Sequence, residues 1–187
     1  MKSTPFAALV FMTSSLLAAV SSLAQTRTSG NIDSLLCPGG YAAIGHPYLS
    51  FKLTKENNVV DNQAVTGKVV FINFWFEGCH PCMAEMEALN ELFIKMKGNK
   101  DFVFISLSWD DQQTIKKVKE KYSLSFDVLS ATPEECKRLN FGCAYPTSII
   151  LDKAGIVKYR HSGGSIEKEQ AQKFIMTTLL AEIQSLL

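Results

Sequence analysis

No sign of charge dominates this chain: 19 Lys and Arg stand against 18 Asp and Glu over 187 residues. That balance removes the electrostatic argument for a nucleic-acid or anionic-membrane partner and leaves a small protein partner compatible. There is no internal repeat and no low-complexity block, so solenoid and array architectures are excluded. Cysteines with two residues between them occur once, at Cys79 and Cys82, and the histidines form no HxxxH pair. A zinc site built on those cysteines would therefore want two further ligands that the spacing does not supply. No PxxxT/SxxC segment precedes Cys79, which counts against peroxidase chemistry. A long apolar run is missing too. Residues 6–20 are mostly apolar, but Thr13, Ser14 and Ser15 dilute them, and the stretch is short for a membrane span.

What residues 1–24 do contain is the layout of a cleavable export signal. Lys2 gives a positive start, the diluted apolar stretch follows, and Ser22-Leu23-Ala24 offers small residues at the −3 and −1 positions. Gln25 would then begin an exported chain, periplasmic or otherwise extracytoplasmic; an uncleaved anchor is the competing expectation. Leu36 ahead of Cys37 is too large for the small-residue position of a lipid-attachment site. Residues 25–43 read as a polar linker and N-terminal extension, and residues 44–187 as one domain, long enough to bury a full core.

Within that domain the periodicities are distinct. Phe51-Lys52-Leu53-Thr54 alternates, and Val59-Val60 follows a polar turn, which predicts a hairpin. Residues 69–76 are a nearly continuous β-branched and aromatic run, the mark of a strand covered on both faces. Pro81 suits a first helical turn, and Met83, Met86, Leu89, Phe93 and Met96 then recur at helical spacing up to Gly98. Further strands are predicted at 102–107, 126–129, 147–151 and 156–159, with helices at 112–122, 133–139 and 167–187. The order gives an α/β domain with a central mixed β-sheet flanked by helices and an N-terminal hairpin.

The chemistry sits where the central strand ends. Cys79-His80-Pro81-Cys82, between an apolar strand and an amphipathic helix, reads as a dithiol/disulfide redox centre. A helix N-terminus presents unpaired N–H groups and partial positive charge, which favour a thiolate at Cys79. Cys79 is thus the expected attacking thiol, with an exposed sulfur, and Cys82 the more buried thiol that resolves a mixed disulfide. His80, between them, would stabilise the thiolate when protonated and make the pair more oxidising. Glu85, three residues beyond Cys82, projects from the same side of the helix.

Three segments together carry a resemblance: Val69-Val70-Phe71-Ile72-Asn73-Phe74-Trp75 leading into the CxxC, then Cys82-Met83-Ala84-Glu85, then Tyr145-Pro146-Thr147 ahead of a strand ending in Asp152. Over residues 44–187 the chain resembles the thioredoxin superfamily, in its exported TlpA/ResA-like branch. The resemblance implies a thioredoxin-like fold and a thiol–disulfide oxidoreductase with no cofactor beyond the Cys79–Cys82 disulfide. It also implies protein thiol or disulfide substrates and a membrane-bound electron donor. By the same token Glu85 would handle protons near the pair, all the more because Asn73 stands where ordinary thioredoxins carry a buried aspartate. Tyr145-Pro146 would be a cis bond lining the substrate contact, X–Pro being the linkage for which cis is cheap. Gly78 departs from the pattern, since relatives often carry tryptophan there. Reduction of substrate disulfides is the expected direction, with a disulfide-forming oxidase as the other possibility. A copper carrier using Cys79, Cys82 and His161, the last placed in a Gly-rich loop after a strand, is the alternative of a different class. Cys37, Cys136 and Cys143 are extra, with Cys136–Cys143 the leading pairing and Cys37–Cys143 or Cys37–Cys136 in competition; one cysteine is left over in each case.

Overall fold

The computed structural model describes residues 36–37, 43–55 and 58–187. The expected signal segment lies outside the described residues, as does most of the expected linker. Two short strands, β1 (Lys52–Lys55) and β2 (Asn58–Asp61), pair antiparallel as a hairpin. They are followed by β3 (Val69–Trp75), α1 (His80–Met96), β4 (Phe102–Ser108), α2 (Gln112–Lys121), β5 (Val128–Ser130) and α3 (Pro133–Leu139). Then come β6 (Thr147–Leu151), β7 (Val157–Ser162), α4 (Lys168–Lys173), a π-helical segment (Phe174–Leu179) and α5 (Leu180–Leu186).

The main sheet has five strands in the order β5-β4-β3-β6-β7. The β3–β4 and β4–β5 pairs are parallel, whereas β6 and β7 run antiparallel to their neighbours. The sheet is therefore mixed, as expected, and β3 is its central strand with all seven residues buried. The alternation of β3 feeds two cores. Val69, Phe71 and Trp75 pack with Met86, Leu89, Leu92, Ile115, Ile175 and Ile183 from the helices. Val70, Ile72 and Phe74 pack on the other face with Leu53 of the hairpin and Leu139 of α3. A strand sandwiched in this way needs apolar residues at consecutive positions, which is why its sequence does not alternate.

Three elements depart from the sequence reading. Strand β5 starts at Val128 rather than at 126, and Phe126 is a buried residue of the approach. Strand β7 continues to Ser162, so His161 lies inside a strand and not in a Gly-rich loop. Pairing with β6 extends it, because Ser148 and Thr147 oppose His161 and Ser162. The closing helix is interrupted by the π-helical segment, a feature that apolar spacing does not signal. Helix α3 starts where its sequence says: the Glu135 N–H donates to Thr132 Oγ1 over 3.2 Å, and Pro133 takes a first-turn position.

Candidate active site

Cys79 follows the C-terminal end of β3 and is the N-cap of α1. Its sulfur is joined to Cys82 in a disulfide and accepts the Cys82 N–H at 3.2 Å. An N-cap position is one of the few places where a side chain meets unpaired helix N–H groups, so a sulfur there bears negative charge more easily. The expected exposed sulfur needs correction: Cys79 is only 6% exposed and Cys82 0%. The disulfide turns Cys79 inward onto Cys82; the adjoining Gly78 is exposed, with the Phe76 ring 3.4 Å from where a Cβ would stand. His80 is exposed, and Pro81 is half-buried at the start of the helix.

Glu85 occupies the buried face of α1, 3% exposed. Burial pushes its carboxyl up from the ordinary 4.5 to about 8, since an ionised carboxylate is poorly solvated there. A Cβ added to Gly164 would stand 2.7 Å from Glu85 Oε1 and 3.1 Å from Pro146 Cγ, so carboxyl and proline meet around a bare backbone. Gly164→Ala would overfill this space; a loss of about 1–3 kcal/mol is expected, read as a lower urea midpoint. The Tyr145–Pro146 bond is cis, and the Pro146 carbonyl accepts the Gly163 N–H at 2.8 Å. Chain segments 79–85, 145–146 and 163–164 are thereby brought to one end of the sheet.

Some neighbours were not singled out by the sequence reading. Phe76 stacks on Trp109 with ring centres 4.5 Å apart, and Tyr145 meets both edge-on at 5.5 and 4.6 Å. These aromatics cluster close to Gly78, the position where relatives often carry tryptophan. Their signal is slight: Phe76 and Trp109 each come just after a buried strand, and only the parallel pairing of β3 with β4 makes them neighbours. Tyr145 OH is buried with no hydrogen-bond partner among the described residues.

The extra cysteines pair as Cys37–Cys143, leaving Cys136 free. The leading expectation, Cys136–Cys143, is thus replaced by one of its competitors. Cys136 faces inward from α3 into the core with Leu139 and Ile149, and burial raises its thiol to about 11. Leu36 accompanies Cys37, its carbonyl accepting the Ala144 N–H at 2.6 Å. Nor does the fold assemble the copper set. Among the described residues no three His, Cys, Asp or Glu side chains converge, and His161 lies in β7 with its ring centre 4.3 Å from that of Phe174.

Residues 44–160 match the AhpC/TSA family. Over 134 residues the chain is 32% identical to the thiol-disulfide oxidoreductase ResA of Bacillus thuringiensis subsp. konkukian, spanning 71% of this chain and 76% of that one. The chain belongs to the ResA-like thiol–disulfide oxidoreductases of this family. Another relative is the thioredoxin-like protein YneN of Bacillus subtilis, 29% identical over 59% of this chain and 66% of its own length. A Chlorobium tepidum structure provisionally named thiol:disulfide interchange protein DsbE superposes with a TM-score of 0.61 at 25% identity, covering 73% of this chain and 97% of that one. The ResA-like assignment makes the protein an oxidoreductase with a thioredoxin-like fold. It also gives its one CxxC disulfide, at the start of α1, a chemical context.

Proposed function

We propose that this protein reduces disulfides of other proteins outside the cytoplasm. Cys79 attacks, Cys82 resolves the mixed disulfide, and Glu85 takes the proton that Cys82 gives up. The observation that carries this reading is the Cys79–Cys82 disulfide at the N-cap of α1, with buried Glu85 on the same helix. The pair itself is the only redox group the chemistry calls for, with no further cofactor. Tyr145 and Pro146 form the wall against which an extended substrate segment lies, and Pro81 holds the first helical turn. His80, exposed beside Cys79, shifts the pair toward the oxidising side when its imidazole is protonated.

Export follows from residues 1–24 acting as a cleaved signal, with residues 25–43 leading into the domain at 44–187. Among the described residues no helix is long and apolar enough to cross a membrane. A membrane-bound thiol donor would return electrons to the pair, because an exported reductase is re-oxidised by each substrate and needs a source of reducing equivalents.

The deciding experiment is the reduction potential of Cys79–Cys82 against glutathione or dithiothreitol, in protein carrying Cys37, Cys136 and Cys143→Ser. The expected value lies near the roughly −270 mV of thioredoxin. A value nearer about −120 mV, that of strong periplasmic oxidants, would reverse the direction and make the protein a disulfide-forming oxidase.

A further inference from the structure

Four strands place polar residues in one row across the buried sheet. Ser106 of β4 is opposite Asn73 of β3, Asn73 is opposite Ser148 of β6, and Ser148 is opposite His161 of β7. Directly paired residues project from the same face of a sheet. The face is the one beneath α1, for Phe71 and Trp75, two residues to either side of Asn73, pack with Cys82, Met86 and Leu89. Ser106 and Asn73 are 0% exposed and Ser148 4%, whereas His161 is half-buried at the far end. On a largely apolar, buried face, this row is costly unless it is used or satisfied.

Its chemistry is uneven. Ser106 Oγ accepts the Trp75 indole N–H at 2.8 Å, which closes that end. Asn73 is different: neither Oδ1 nor Nδ2 of its amide bonds to a protein group among the described residues. A buried amide with donor and acceptor both uncommitted is the kind of site that internal water occupies, making two or more hydrogen bonds there. Glu85 lies on the helix over this face. The segment that meets its Oε1, at Gly164, directly continues β7, the strand that carries His161.

We infer that the row Asn73–Ser148–His161, bridged by internal water at Asn73, is the proton route between the buried active-site groups and solvent, with His161 as its outer relay. The inference rests on the proposed reductase function. Cys79 thiolate attacks the substrate disulfide, forming the mixed disulfide and releasing one substrate thiolate, which takes a proton from solvent. Cys82 then attacks Cys79 Sγ; the bond between Cys79 and the substrate breaks, and the second substrate sulfur leaves and is protonated by solvent. The proton lost by Cys82 passes to the Glu85 carboxylate, then along the row to the His161 imidazole and out. The enzyme dithiol gives up two electrons and two protons, and the substrate disulfide becomes two thiols. His161 is a positioning and relay residue in this scheme and touches no substrate.

The test is the single-turnover rate of resolution, measured in dilute buffer and then with increasing imidazole, for wild type, His161→Ala and Ser148→Ala. Ser148→Ala leaves the histidine in place and removes one hydroxyl, so it guards against a folding defect in the other variant. Each variant is expected to be slowed about tenfold in dilute buffer, less than the hundredfold or more of a direct general base. Imidazole should restore His161→Ala toward the wild-type rate, which itself should not depend on buffer. Rates equal to wild type in both variants, or a loss that imidazole does not restore, would overturn the route while leaving the reductase reading intact. Failure of Cys82→Ser protein to trap any substrate as a mixed disulfide would instead overturn the reductase reading, and the route with it.

Discussion

Cys79→Ser should abolish thiol–disulfide exchange, whereas Cys82→Ser should leave attack intact and accumulate a covalent complex with a protein substrate. The asymmetry comes from position. Cys79 caps α1 at the end of β3, where unpaired N–H groups and the helix dipole favour its thiolate. Cys82 lies inside the first turn, 0% exposed, and has only Cys79 as its disulfide partner. Loss of the nucleophile should cost at least about a thousandfold in reduction of insulin disulfides, judged by the general scale of losing a group that acts as one unit of a catalytic set. Non-reducing electrophoresis after incubation with an oxidised protein substrate reads both outcomes. Equal trapping by the two serine variants would show that either sulfur can attack, contrary to the burial seen here.

Glu85→Gln is the second large effect, and its sign follows from proton binding. Glu85 ionises near its ordinary 4.5 in the unfolded chain but near about 8 when buried in the folded protein. Between those values the folded protein binds more protons than the unfolded chain, so stability falls as pH rises. The loss starts near pH 4.5, grows to pH 8 and is constant above it. Each unit of difference is worth about 1.4 kcal/mol, so a few kcal/mol are at stake, with relaxation around the carboxylate lowering the figure. Gln keeps the shape and cannot ionise, so Glu85→Gln should be more stable than wild type at pH 9 and close to it at pH 4.5. Urea midpoints of the oxidised proteins across that range would show it. Asp111 and Glu135 act in another window. The Thr114 N–H holds Asp111 below its ordinary value and Arg138 does the same for Glu135, so their contributions vanish only as pH falls through the acid range. A wild-type profile flat from 4.5 to 8 would mean that Glu85 ionises freely in the folded state.

The same substitution separates stability from function. A buried acid near neutrality is costly to the fold and useful as a proton acceptor, a pairing common at active sites. Glu85→Gln should therefore gain stability at high pH while slowing the step in which Cys82 attacks. A gain in stability with no slowing of that step would argue that Glu85 does not take the proton from Cys82.

How legible was this protein before folding? Strand β3 and helix α1 were readable because their signals are local. A short run rich in β-branched and aromatic residues points to a strand covered on both faces, and Met86 and Leu89 repeat at the period of a helix face. Cys79 and Cys82 are three apart, so their meeting at the start of α1 needs no information beyond that helix. Thr132 and Pro133 announce α3 in the same local way. The burial of Glu85 was only half legible: spacing put it on the side of Cys82, but α1 turns that side toward the 145–146 and 163–164 segments only once β6 and β7 have paired.

Much that depended on register or on distant pairing was invisible. Cys37 and Cys143 are 106 residues apart, and no sequence spacing distinguishes that pair from its competitors. His161 changed from loop to strand because Ser148 lies opposite it across β6–β7. Phe76, Trp109 and Tyr145 became one cluster because parallel β4 ends, and antiparallel β6 begins, at the edge where β3 ends. The sequence by itself determined the CxxC pair and the helix that carries it, since both are encoded in residues close along the chain, and the order of its strand and helix signals implied the mixed sheet behind them. Only the tertiary structure decided how deeply Cys79 and Glu85 are buried, which cysteines pair, and that Asn73, Ser148 and His161 share one row. Those are properties of strand register and packing; a one-residue slip of β3, β6 or β7 would turn Asn73, Ser148 or His161 to the opposite face of the sheet.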